Sequence, residues 1–81
     1  MRILKLHSDL EKKLKRYQLE KKFIKAKELF EDNSSHPSLK TELLEPKHFK
    51  IYSFRLDRKF RAIFVIIRDE AKIIDINLHY Q

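Results

Sequence analysis

Four side chains in the second half of the chain offer chemistry: Arg55, Arg61, His79 and Tyr80. Two guanidiniums, an imidazole and a phenol form a set that can act on a phosphodiester. Cutting RNA without a metal uses the ribose 2′-hydroxyl as nucleophile and leaves a cyclic phosphate and a 5′-hydroxyl. Such a site needs a base near the hydroxyl, an acid near the leaving oxygen and cations around the phosphorane charge. His79 is the acid or base candidate, because an unperturbed imidazole titrates close to neutrality. Arg61 can hold the phosphate through two parallel N–H bonds, and Arg55 the same or a neighbouring phosphate. Tyr80 can donate a proton or stack on an unpaired base. Each also has a structural alternative: Arg61 can pair with Asp57 or Asp75, Arg55 can be a solvated strand residue, and Tyr80 can pack at the core edge.

Positioning that set requires a sheet. Residues 51–56, 60–67 and 72–80 read as three consecutive strands. Successive strand residues point to opposite faces. Tyr52, Phe54 and Leu56 thus share one face of the first, with Ser53 and Arg55 on the other. In the third strand Ile74, Ile76 and Leu78 share one face, and Asp75, Asn77 and His79 the opposite one. The middle strand is apolar on both faces apart from Arg61, which suits a central position. If the oily side is covered by helices, Arg55, Arg61 and His79 converge on the uncovered side, register permitting.

The upstream half reads as scaffold. Residues 1–6 alternate weakly and suggest a short first strand. Ser8 and Glu11 have the spacing of a capping box. Leu10, Leu14 and Tyr17 then follow at helical spacing, as do Leu19, Phe23, Ala26 and Phe30. At about 100° per residue the two sets would lie nearly opposite each other on one helix. A break at residues 17–20, giving a helical hairpin, resolves this, although no Gly or Pro marks it. The intervening lysines read as a solvated face or an RNA-docking surface. Glu28, Glu31 and Asp32 oppose the dipole of the second helix and are assigned no stabilising role. Residues 32–37, DNSSHP, form a turn-rich link. Residues 39–45 read as a further strand closed by Pro46, and Lys47, His48 and Lys50 as a basic loop. The expectation is a single domain over residues 1–81 of α+β class. It has a short N-terminal strand and a two-helix hairpin on one face of a mostly antiparallel sheet of about four to five strands.

Composition narrows the function. The net charge is +7, which suits a polyanion or an acidic protein partner. The chain has no cysteine, hence no thiolate zinc site or disulfide framework, and fits a reducing cytoplasm. Its four histidines have no metal-ligand spacing, and no cofactor is implied. No apolar run approaches the roughly 20 residues that span a bilayer, so no membrane partner is expected.

HPSLKTELLE, IYSFRLDRKFRAIF and IIDINLHY, in this order and spacing, resemble the RelE and YoeB superfamily of bacterial type II toxin–antitoxin toxins. The resemblance spans residues 36–80 by motif, and its most specific part is the strand segment 60–64. It implies a small basic endoribonuclease, an mRNA interferase that cuts messenger RNA on the ribosome, inhibits translation and is silenced by a cognate antitoxin. The family's phosphate-binding arginine maps onto Arg61, a basic residue of the preceding strand onto Arg55, and the near-terminal histidine onto His79. YoeB-like members end in His-Tyr, which matches His79 and Tyr80, with Gln81 after them here. Lys40, Lys47 and His48 sit where messenger RNA would run along the sheet. The glutamate that YoeB-like members carry before their sheet falls at Pro37 and Ser38, with Glu42 nearby but not aligned. Two other readings share the fold. One is a ParE-like inhibitor of DNA gyrase, and the other a catalytically silent module that binds RNA or antitoxin.

Overall fold

In the computed structural model of the protein, which describes residues 1–78, two helices precede a four-stranded antiparallel sheet. Helix α1 is Ser8–Arg16 and α2 is Glu20–Asp32. The strands are β1 Glu42–Leu43, β2 Tyr52–Arg55, β3 Phe60–Ile67 and β4 Glu70–Leu78, ordered β1-β2-β3-β4 across the sheet.

The break between the helices is a Schellman closure. The Leu19 amide donates to the Leu14 carbonyl at 2.8 Å and the Gln18 amide to the Lys15 carbonyl at 3.1 Å, with Gln18 left-handed at φ 55°. Glycine normally fills that place, and this chain has none. A left-handed conformation costs a non-glycine residue roughly 1–2 kcal/mol, part of which glycine returns as unfolded-chain entropy. Gln18→Gly is therefore expected to stabilise the fold by about 0.5–1 kcal/mol, raising its melting temperature by several degrees. A melt unchanged or lowered would show that Gln18 gains its conformation without cost.

The N-terminus of α1 differs from the expected capping box. His7 is the cap, its Nδ1 accepting from the Asp9 amide at 3.1 Å, and Ser8 is already helical. The first strand reduces to one parallel bridge, Ile3 to Ala71, made by the Leu4 amide to the Ala71 carbonyl and the Ala71 amide to the Arg2 carbonyl. Glu31 has the role that sequence denied it: its carboxylate accepts from the Ile3 amide at 2.8 Å and ties that segment to α2. Residues 39–45 do not form a strand throughout. Pro37–Leu39 is a 3₁₀ turn that buries Leu39, and only Glu42–Leu43 pairs with β2.

Register sorts the sheet into two faces, since partners across an antiparallel ladder project to the same side. On the core side, Phe54 lies opposite Ala62 and Ala62 opposite Ile76, while Tyr52 lies opposite Phe64 and Phe64 opposite Ile73. Leu14, Leu19, Phe23, Ala26 and Phe30 of the helical half close over them. Phe30 meets Phe54 and Phe64 with ring centroids 5.0 and 5.2 Å away. A β-bulge corrects the phase expected for the last strand: Ile63 pairs with Asp75 but Phe64 with Ile73, leaving Ile74 over. Ala71, Ile73 and Ile76 are the buried positions of β4, whereas Ile74 is 43% exposed and Leu78 is exposed at the strand end.

Candidate functional site

Off the core side the sheet carries two cross-strand rows, whose end members Asp75 and Arg55 reach the helices through Lys13 of α1 and a groove shared with α2. Glu42, Ser53, Ile63 and Asp75 form one, and Arg55, Arg61 and Asn77 the next. Glu42, Leu44, Ser53, Arg61, Ile63, Asn77 and Leu78 line a cleft of about 280 Å³ there.

Arg61 is the centre of this cleft and is only 6% exposed. It pairs with neither aspartate that sequence offered it. Its Nε–H donates to the Ser53 hydroxyl at 2.9 Å and its Nη2 to the Lys40 carbonyl. Of a guanidinium's five N–H groups, these bonds use two, leaving 5 − 2 = 3 without a partner among the described residues. Burial lowers the Arg61 pKa, Glu42 opposes that shift, and the neighbouring Arg55 adds to it. The guanidinium stays charged all the same, as arginine does in proteins. A buried cation with an acid at its side and donors to spare can take an anionic oxygen.

Glu42 was set aside by sequence, and the structure puts it in the cleft. It lies directly across from Ser53, exposed, with the charge that acts on Arg61. The signal that could have found it is parity: Glu42, Ser53 and Arg61 share one face once the hairpin registers are known.

Arg55 is the cross-strand partner of Arg61 but lines a different groove, of about 540 Å³. Its Nε–H donates to the Asp57 carbonyl at 3.2 Å. Lys22, Lys25 and Lys40 share that groove, so the Lys40 side chain joins Arg55 while its carbonyl holds Arg61. Lys47 and His48 lie in the exposed 3₁₀ turn Lys47–Phe49 and line neither opening. His79 and Tyr80 lie outside the described residues. Among those described, no cluster of His, Cys, Asp and Glu has the makings of a metal site, and no helix is long and apolar enough to cross a membrane.

The two aspartates serve the frame. Asp75 accepts from Lys13 Nζ at 3.1 Å and from the Ile76 amide at 2.8 Å, fastening α1 to β4. Asp57 accepts from Lys22 Nζ at 2.8 Å and from the Phe60 and Lys59 amides at 2.7 and 2.8 Å, closing the β2–β3 turn against α2. Burial alone would raise the Asp57 pKa, but the hydrogen bonds from Lys22, Phe60 and Lys59 outweigh it and hold the group below 3.8. A folded value below the unfolded one adds stability above the unfolded pKa that is lost as pH falls through the folded one. Asp57→Asn keeps an acceptor for the amides and loses only the charge. Its deficit near neutrality should be about 1 kcal/mol or less and should disappear in urea unfolding as the pH falls through the lowered folded pKa. A deficit that persists in acid would assign the loss to the turn rather than the charge.

No protein-family model matches the chain, and no curated protein matches it in sequence. In structure it is similar to a chain from the crystal structure of the heterotetrameric YoeB–YefM toxin–antitoxin complex from Staphylococcus aureus. The match has a TM-score of 0.64 at 23% identity and covers 99% of this chain and 100% of the other. At that identity the likeness establishes the fold, the α+β arrangement that the RelE and YoeB resemblance implied.

Proposed function

We propose that this protein is the toxin of a type II toxin–antitoxin pair and acts as a metal-independent endoribonuclease on messenger RNA. The observation that carries the proposal is the buried Arg61, held by Ser53 and Lys40 beside the Glu42 carboxylate, with N–H donors to spare in an open cleft. The fold shared with a chain of a YoeB–YefM complex supports it.

In this reading the scissile phosphate sits against Arg61. Glu42 takes the proton of the 2′-hydroxyl, the 2′-oxygen attacks phosphorus, and the bond to the 5′-oxygen breaks. That oxygen leaves with a proton from His79, which with Tyr80 directly follows the cleft-lining Leu78 in sequence. Arg61 neutralises charge on the phosphorane, the stage at which a fixed donor matters most. Arg55 and Lys40 take flanking phosphates in the adjoining groove, and Lys47 and His48 meet the strand further out. The ribosome supplies an extended messenger, and the net charge of +7 suits its RNA surface. A cognate antitoxin with an acidic segment would silence the cleft by charge complementarity, as expected for a protein working in the cytoplasm.

Primer extension on a translated messenger, with and without ribosomes, tests this. Breaks that need ribosomes and carry 2′,3′-cyclic phosphate ends support the proposal. Intact RNA accompanied by loss of gyrase supercoiling would replace it with the gyrase-inhibitor reading, and intact RNA with normal supercoiling would point to a silent binding module.

A further inference from the structure

Arg61 is held at two of its nitrogens. A guanidinium is planar and carries five N–H donors, one on Nε and two on each Nη. Ser53 Oγ takes the Nε–H and the Lys40 carbonyl takes one from Nη2. A planar group fixed at both points cannot turn about its Cδ–Nε bond without losing one of them. Nη1, which has no partner among the described residues, is what remains for a phosphate.

Each holding group occupies a position that carries a cost. Ser53 is fully buried in the row between Glu42 and Ile63, where a hydroxyl costs desolvation unless it is bonded. Lys40 caps the 3₁₀ turn Pro37–Leu39 in a left-handed conformation, φ 45° and ψ 49°, as Lys50 caps Lys47–Phe49; that conformation has a cost for any residue with a Cβ. The carbonyl presented by that conformation is the one that accepts from Arg61.

Resting on the nuclease reading above, we infer that Ser53 and the Lys40 backbone are positioning groups. They fix the guanidinium plane so that Nη1 is the nitrogen presented to the phosphate. The importance of Lys40 to the reaction then lies in its backbone as well as its ammonium.

Two measurements on Ser53→Ala, Lys40→Gly and Lys40→Val test this: solvent exchange of the Arg61 Nε–H by NMR, and single-turnover cleavage of ribosome-bound messenger RNA. Thermal melts identify which variants are folded. In Ser53→Ala the Nε–H should exchange at least about tenfold faster, and the maximal cleavage rate should fall about tenfold to hundredfold with little change in half-saturation. Glycine accepts a left-handed backbone and valine resists it. Lys40→Val should therefore cut about tenfold more slowly than Lys40→Gly, although both lack the ammonium. Unchanged Nε–H exchange in Ser53→Ala, or equal cleavage by the two Lys40 variants, overturns the inference; if Ser53→Ala does not fold, the Lys40 pair decides. A wild type that cuts no RNA sinks the nuclease reading instead, and Nε–H exchange in the variants still shows whether these groups hold Arg61.

Discussion

Arg61→Lys is expected to remain folded and to cut ribosome-bound RNA about 10²–10³-fold more slowly than the wild type. Losing one pre-set donor to a developing oxyanion costs about that much. Lysine preserves the charge, so the loss would come from geometry. Its ammonium is a point charge with three donors on a flexible stem, and it cannot replace a rigid plane that donates to Ser53 and Lys40 and keeps further donors fixed beside them. Arg61→Ala is a poorer test. It strands the buried Ser53 hydroxyl, where an unpaired group costs about 1–3 kcal/mol, so lost activity could reflect lost fold. The check is single-turnover cleavage at saturating protein, alongside a urea melt. A rate within about threefold of wild type would remove Arg61 from the phosphate and leave it a structural cation.

Why Arg61 was legible in the sequence and its surroundings were not follows from what each depends on. A lone arginine in an apolar strand stands out by composition, and the strand pattern around it fixed its face. Its partners depend on register and on one backbone dihedral, which no spacing reveals. Ser53 became a partner because β2 and β3 place Phe54 opposite Ala62. Lys40 did so through a left-handed carbonyl that ends a 3₁₀ turn, although its sequence suggested a side-chain role in a strand that here reduces to Glu42–Leu43. The helices were readable because two apolar faces cannot coexist on one rod, which forced the break that Gln18 supplies. The β4 phase was misread because a bulge at Ile74 leaves no mark on composition.

The electrostatics of the cleft explain why a carboxylate beside Arg61 matters. Two guanidiniums, Arg55 and Arg61, are cross-strand partners and raise each other's cost. Glu42 offsets that cost from the next row, and the cleft keeps one acid and one buried cation within the same small volume. Stability alone would be served by any anion there. Chemistry asks more of it, because only an ionised carboxylate both balances Arg61 and accepts a proton.

Glu42→Gln separates these two duties. The amide is nearly isosteric and the side chain is exposed, so folding should change by well under about 1 kcal/mol. Cleavage should fall about 10²–10⁴-fold, the range for losing a positioned general base. The pH profile gives the sharper sign. In the wild type, ionisation of the base makes the rate rise with pH along the acid limb, and in Glu42→Gln that limb should flatten while any fall at higher pH, set by the acid, remains. Glu45→Gln, which alters a nearby exposed carboxylate outside the cleft lining, controls for simple loss of charge and should stay within about threefold of wild type. Should Glu42→Gln keep both the rate and the acid limb, proton abstraction passes to His79 and the glutamate becomes a counter-charge to Arg61. Should both variants lose activity equally, the effect is the electrostatic environment of the RNA and not base catalysis, since only Glu42 lines the cleft where the 2′-hydroxyl would lie.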